Sequence, residues 1–246
     1  MLRGLYTAVT GLKAAANTIN VTGNNITNSE TTGFKEDGVV CSSFNQYMIN
    51  RNGNHSAANI GGMTSGAILD EVYTGFQPGA IKQTGRALDF AIEGDGFFTV
   101  KTADGQTKLT RNGQFFLNEN GYLIDAAGNT VMTGNGPIKV DSADIAISTT
   151  GEVFAGGQSA GKLLITCPTD LNVLVKEDGT LFSYNGGATT AFEGAICQGV
   201  LESSNVDLTD EMSDLMASSR SYQSCSQIIK MLDQITEKTV TEIARL

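Results

Sequence analysis

The chain has one histidine, three prolines and four cysteines in 246 residues. A Ser-His-Asp or Cys-His nucleophile would depend wholly on His55. That residue sits in the polar stretch Arg51-Asn-Gly-Asn-His-Ser56 without clustered carboxylates, so a solvated loop histidine is the better reading, and a metal site there is equally poor. Cys41, Cys167, Cys197 and Cys225 form no CxxC pair and are too sparse for a stapling framework, so they read as small buried thiols. The phosphate loop, the dinucleotide-binding glycine fingerprint, HExxH and the EF-hand loop are all missing. Glu93-Gly-Asp-Gly96 brings two acids together, but Asp95-Gly96 ahead of Phe97-Phe98 reads as a hairpin turn. No catalytic, cofactor-binding or metal-binding residue is assigned, and the expectation is a protein that is not an enzyme and needs no cofactor.

Positive charge is also scarce. A net charge of −10 argues against nucleic acid or an anionic membrane as the main partner, since both need a basic face. No run of 18 apolar residues exists, so membrane insertion is not expected. The N-terminus lacks an apolar stretch followed by a small-residue cleavage site, so export would proceed without a cleavable signal peptide. Acid is missing locally as well: residues 1–29 carry Arg3 and Lys13 and no carboxylate, whereas residues 205–246 carry seven acids against four bases. The two ends have opposite sign, which tunes a pairing between them but cannot drive it, because exposed ion pairs contribute only about 0–1 kcal/mol each.

What is present begins with two heptad stripes. Leu2, Leu5, Val9, Leu12, Ala16, Ile19, Gly23 and Ile26 fall at alternating three-four spacing. The spacing returns in Leu208, Glu211, Leu215, Ser218, Tyr222, Cys225, Ile229, Leu232, Thr236, Thr239, Ile243 and Leu246, where eight of the twelve positions are apolar. Such a narrow stripe is a surface for another helix, so Leu2, Leu5, Val9, Leu12, Ile19, Ile26, Leu208, Leu215, Tyr222, Ile229, Leu232 and Ile243 are read as an assembly interface. The first helix is expected from about residue 2 to 28. Gly4, Gly11 and Gly23 each cost it about 1 kcal/mol relative to alanine, so its order is expected to depend on partners. Asp207 is the expected cap of the second helix, with Asp210, Glu211 and Asp214 complementing its dipole.

Between the helices the pattern changes. Residues 31–76 hold apolar islands (Phe44, Tyr47, Met48, Ile49; Ile68, Leu69, Val72, Tyr73) separated by polar sequence and read as an extended linker or arm. Residues 77–204 carry short β-type runs such as Phe97-Phe-Thr-Val100 and Val173-Leu-Val175. These are punctuated by Asp95-Gly96, Asp104-Gly105, Asn112-Gly113, Asn120-Gly121, Asn135-Gly136, Asp178-Gly179 and Asn185-Gly186. Pro78, Pro137 and Pro168 fall at run boundaries. The expected fold is α+β: residues 1–30 with 205–246 form a coiled-coil-like terminal helical domain, and 77–204 form a central antiparallel, hairpin-rich β domain.

Three segments carry a more specific signal. Gly23-Asn-Asn-Ile-Thr-Asn28 followed by Thr31-Thr-Gly-Phe-Lys35 resembles the N-terminal signature of bacterial flagellar axial proteins, the rod and hook subunits of the basal body. Glu202-Ser-Ser-Asn-Val-Asp207, with Glu211-Met212 and Arg220-Ser-Tyr222, resembles their C-terminal signature. Leu88-Asp89, Ala91-Ile-Glu-Gly-Asp-Gly-Phe-Phe98 and Thr110-Arg-Asn-Gly-Gln-Phe115 are similar to the β domain that rod and hook proteins share. The residues carrying the terminal signatures are Asn24, Asn25, Asn28, Thr31, Gly33, Phe34, Lys35, Ser204, Asn205 and Val206. Gly23 and Thr27 depart from it, since alanine is usual at both positions.

The resemblance implies a structural subunit of the basal-body rod whose terminal helices pack into the inner wall of a hollow, torque-transmitting tube. Its implied partners are copies of itself, adjacent rod and hook proteins and the flagellar type III export apparatus, and its implied place is the basal body in the cell envelope. The short middle without a large inserted domain favours a rod subunit over the hook subunit. Two other classes stand behind it: a secreted β-rich binding module dimerising through its helices, then an enzyme, for instance a carbohydrate-active one.

Overall fold

The computed structural model describes residues 2–43, 46–53, 56–64, 66–140, 145–184 and 186–244, with backbone alone for Leu2 and for 46–53 and 56–64. His55, Phe44, Asn185, Arg245 and Leu246, together with the side chains of Tyr47, Met48 and Ile49, lie outside the described residues. The chain divides into two compact units, one of residues 1–27, 37–74 and 207–246, the other of 28–36 and 75–206.

The first unit holds both long helices. Helix α1 spans Leu2–Thr27 and α2 spans Leu208–Ile243, capped by Asp207, whose carboxylate accepts from the backbone N–H groups of Thr209 (2.8 Å) and Asp210 (3.4 Å). That closes two of the four N–H groups a helix start leaves open, as the acid-rich sequence there predicts. Helix α1 is rich in threonine and α2 in serine and threonine, yet several of these hydroxyls bond back to their own helix. Thr18 donates to the Ala14 carbonyl, Thr27 to Gly23, Thr236 to Leu232 and Thr239 to Ile235. Satisfied in this way, Thr18 sits half-buried without an open donor, while Thr27, Thr236 and Thr239 remain on the exposed surface. The rest of the unit is the arm: β1 (Asp37–Ser43) pairs antiparallel with β4 (Ala67–Thr74), and β2 (Gln46–Gly53) with β3 (Ser56–Thr64). Helix α1 packs on β1 and β4.

The second unit is β-rich. Strands β5 (Ile81–Gln83) and β6 (Phe90–Glu93) pair with Val200–Glu202 and Ala195–Gln198, so its entry and exit segments lie side by side. Strand β7 (Phe97–Lys101) is central, bonding antiparallel to β8 (Thr107–Thr110), to Thr130–Thr133 and to Ile165–Pro168. Successive side chains of a strand point to opposite faces, and β7 feeds two cores accordingly. Phe98 and Val100 join Phe90, Phe115, Leu123, Val131, Ile138 and neighbours in the larger one; Phe97 joins Leu109, Phe182 and Phe76 in the smaller. Phe97 and Phe76 meet edge to face, with ring centres 5.8 Å apart.

The turn dipeptides divide. Asp104-Gly105, Asn120-Gly121 and Asp178-Gly179 lie between strands that pair with each other. Asp95-Gly96, expected to be a hairpin turn, joins β6 to β7, which pair with different strands. It is a bend between two sheets, and the Cys167 thiol, donating to the Asp95 carbonyl at 3.2 Å, helps to hold it. The expectation of buried thiols holds for Cys167, whose burial pushes its pKa up against the pull of Arg111. Cys41 is exposed, and Cys197 and Cys225 are half-buried.

Candidate functional site

In the helical unit the site is the face where α1 meets α2. A side chain at Gly4 would meet Leu232, one at Gly11 would come within 3.3 Å of the Cys225 sulfur, and Asn25 bonds Glu211. Each step is seven residues, or fourteen, in opposite directions on the two helices, so they run antiparallel. Small residues line α1 where the backbones approach most closely: Gly4, Ala8, Gly11, Ala15, with Ala8 and Ala15 buried. Leu5, Leu12, Ile19 and Ile26 flank that line half-buried, and Ala8, Ala15 and Thr22 alternate with them at three-four spacing. Val9 turns outward and is 45% exposed. On α2, Leu215, Ile229 and Leu232 are half-buried, whereas Leu208, Tyr222 and Ile243 are exposed. Leu2 opens α1, its side chain outside the described set.

The seam closes on Asn25. Its amide donates to a Glu211 carboxylate oxygen at 2.7 Å and to the Asp37 carbonyl at 2.9 Å, while its oxygen accepts from the Asp37 N–H at 3.0 Å. Both amide hydrogens and the carbonyl are thereby used, which makes burial of this polar group affordable and ties α1, α2 and the root of the arm together. Its neighbour Asn24 is exposed.

The remaining signature residues belong to the β-rich unit. Asn28 accepts from the backbone N–H and, at 3.2 Å, the hydroxyl of Thr31, forming the turn after α1. Gly33 has φ +67°, and a side chain there would collide with the backbone of Arg111 and Asn112, so both its conformation and the close approach demand glycine. Its N–H donates to the Glu202 carbonyl. Phe34 is fully buried beneath the Lys176 ammonium, which lies 3.8 Å from its ring centre and donates to the Lys35 carbonyl.

Lys35 is 1% exposed and donates to Glu202 Oε1 at 2.6 Å and to the Gln77 carbonyl at 2.8 Å. Glu202 also accepts from the Gly79 N–H and, through Oε2, from Arg111 at 3.3 Å. Arg111 reaches the Gly94 carbonyl at 2.9 Å and lies over the Phe97 ring. One carboxylate thus serves two buried cations, and burial holds the Lys35 ammonium below its ordinary value of 10.5, with Glu202 opposing that effect. Ser204 accepts from the Val206 N–H. Asn205 accepts from the Glu36 N–H at 2.8 Å and donates to the Gly75 carbonyl at 2.9 Å, clamping the two points where the arm leaves and returns.

Sequence reading singled out Lys35 without its partners. Arg111 and Glu202 were missed as a site, although each of the three matching segments contributes one charge to this cluster: Lys35, Arg111 and Glu202. Glu211, read from the sequence as complementing the dipole of the second helix, is also the partner of Asn25. Among the described residues, no three His, Cys, Asp or Glu side chains gather to hold a metal ion, and no helix is long and apolar enough to cross a membrane.

Three families match successive parts of the chain: residues 5–35 match the flagella basal body rod protein family, 91–155 the flagellar hook protein FlgE/F/G D1 domain, and 198–242 the flagellar basal body rod FlgEFG protein C-terminal family. Over its whole length the sequence is similar to the flagellar basal-body rod protein FlgG of Bacillus subtilis (strain 168), at 36% identity covering 98% of both chains. It is 29% identical to the flagellar basal-body rod protein FlgF of Caulobacter vibrioides, covering 100% of this chain and 98% of the relative. The flagellar hook-basal body complex protein FlhO of Bacillus subtilis is 27% identical, covering 100% of both.

Proposed function

Because this chain belongs to the flagellar basal-body rod protein family, we propose that it polymerises through its terminal helices into the hollow tube of the rod and transmits torque by stiff packing. Its partners in this reading are copies of itself and the adjacent rod and hook proteins, and it reaches the growing structure through the flagellar export apparatus. Residues 1–30 with 205–246 act as the assembly domain, an antiparallel coiled-coil-like pair; 31–76 form the arm and 77–204 the outer β domain.

One observation carries the reading. Of the large hydrophobic side chains left exposed among the described residues, fifteen belong to the helical unit, including Tyr6, Val9, Leu208, Met212, Tyr222, Ile235 and Ile243, and only six to the β-rich unit. Exposed apolar surface concentrated on one unit marks a protein–protein interface. The assembly positions that are exposed, Val9, Leu208, Tyr222 and Ile243, are then intermolecular contacts, and the half-buried ones serve the pair within the chain. The charge cluster of Lys35, Arg111 and Glu202 is buried and its charges pair with one another, which suits a role in architecture.

The test is replacement of Leu208 or Tyr222 by aspartate. Each variant is expected to lose polymer formation in sedimentation while retaining the β-unit circular dichroism. Polymers of normal length from both variants would overturn the reading.

A further inference from the structure

Opposite the face that meets α2, α1 and β4 enclose an open groove of about 490 Å³. Tyr6, Val9 and Ala14 from the helix and Ile68 and Leu69 from the strand make it apolar, with Lys13 also on its wall. Tyr6 is 60% exposed, and Val9 and Ile68 are nearly half exposed, so within one chain the groove is lined but not filled. Helix α1 contributes one cation, Lys13, and no acid to this surface.

The same unit has a projecting helix end. Helix α2 passes Gly4 of α1 at Leu232, and every residue from Asp233 to Ala244 is exposed, including the apolar Ile235, Val240 and Ile243. Ile243 prolongs the very stripe that faces α1 further back, and Val240 lies beside it. This end carries Asp233, Glu237 and Glu242 against Lys238 alone, so its charge is opposite to that of α1. Its length also fits: the groove follows α1 from Tyr6 to Asn17, and the projection from Asp233 to Ile243 covers a similar distance, on the order of 16 Å at 1.5 Å per residue. Because α2 runs on beyond the start of α1, its end cannot reach its own groove without breaking the helix.

We infer that the groove between α1 and β4 takes the projecting end of α2, residues 233–243, from a second copy of this chain. The inference rests on the polymerising-subunit reading and gives it a direction. The contact joins two different surfaces, so each added copy presents a fresh groove and a fresh helix end. Such a heterologous contact grows an open array rather than closing as a two-fold dimer.

Disulfide trapping tests it on the full chain with Cys41 replaced by serine. Ala14→Cys and Val240→Cys are placed in separate preparations and oxidised mildly, alone and mixed, while pelletable polymer is measured in parallel. The mixture is expected to give a disulfide-linked dimer that is absent from either variant alone. Lys13→Glu should lower its yield several-fold, and Glu237→Lys in the partner should restore it. Polymer without the mixed dimer, or Val240→Cys linking to itself as readily, overturns the groove assignment and leaves the subunit reading standing. No polymer from chains with unchanged circular dichroism overturns both.

Discussion

The two units bury opposite kinds of surface. The β-rich unit encloses Phe90, Phe97, Phe98, Phe115 and Phe182 almost completely, and around Lys35, Arg111 and Glu202 it also buries charge. In the helical unit the described residues that reach full burial are Ala8, Ala15, Thr22, Asn25 and Glu211, none of them a large hydrophobic. A unit of the first kind carries its own stabilisation, because each buried phenylalanine contributes about 1.5–3 kcal/mol. The second kind gains less from its own burial, since many of its large apolar side chains are half-buried or in water. Where the chain places its large side chains decides how much stabilisation each unit draws from its own core.

The sharpest way to break this contrast is to remove one glutamate from each unit. Glu202→Ala strands Lys35 and Arg111 as buried, unpaired cations, and should cost about 3–5 kcal/mol in urea unfolding. Glu211→Ala removes a bond to the neutral Asn25 amide and should cost about 1–3 kcal/mol. Equal losses would show that the helical unit is as tightly coupled as the β-rich one.

Smaller and of the opposite sign is Gly4→Ala. The nearest atom to the added methyl, on Leu232, lies 4.0 Å away, so the substitution fits. It should raise helix stability by about 0.5–1 kcal/mol, read as higher thermal midpoint of the helical signal. A fall instead would mean that the helices approach more closely at this layer than the structure shows.

The smallest expected effect is a pH slope. Because Lys35 loses its proton more readily folded than unfolded, the unfolded chain binds more protons in the window below 10.5. The lysine therefore makes stability rise with pH as that window is crossed. Comparing urea midpoints of the parent and Lys35→Met between pH 8 and 10.5 isolates the slope. A parent whose stability falls relative to the variant would contradict the burial of an ammonium there.

Much of the helical unit is legible in the chain itself. Seven-residue spacing places Leu5, Leu12, Ile19 and Ile26 on one side of α1, and Asp207 with the acids after it marks the start of α2. The alternate positions are less legible: Val9 and Ala8 are adjacent, both suit a stripe, and the choice falls to whichever lets the backbones come closer. Gly4 and Gly11, which cost a lone helix stability, mark that close approach. The charge cluster was hidden for another reason, since Lys35, Arg111 and Glu202 are far apart in sequence and a lone charge in a polar segment reads as solvated. Asp95-Gly96 misled because the same dipeptide serves a hairpin and a bend, and only strand pairing separates the two.

By itself, then, the sequence determined the local features: two amphipathic helices at the ends, short strands with turn residues between them, an acid-free first helix and an acidic second one. Periodicity, capping and backbone preference act within a few residues and need no knowledge of the rest of the chain. Tertiary structure alone decided which face of α1 meets α2, that one glutamate neutralises two distant cations, and that a groove on α1 and a projecting end of α2 remain uncovered. Those outcomes depend on distances between residues far apart in the chain, set by how closely small side chains let backbones approach and by where buried charge finds a partner.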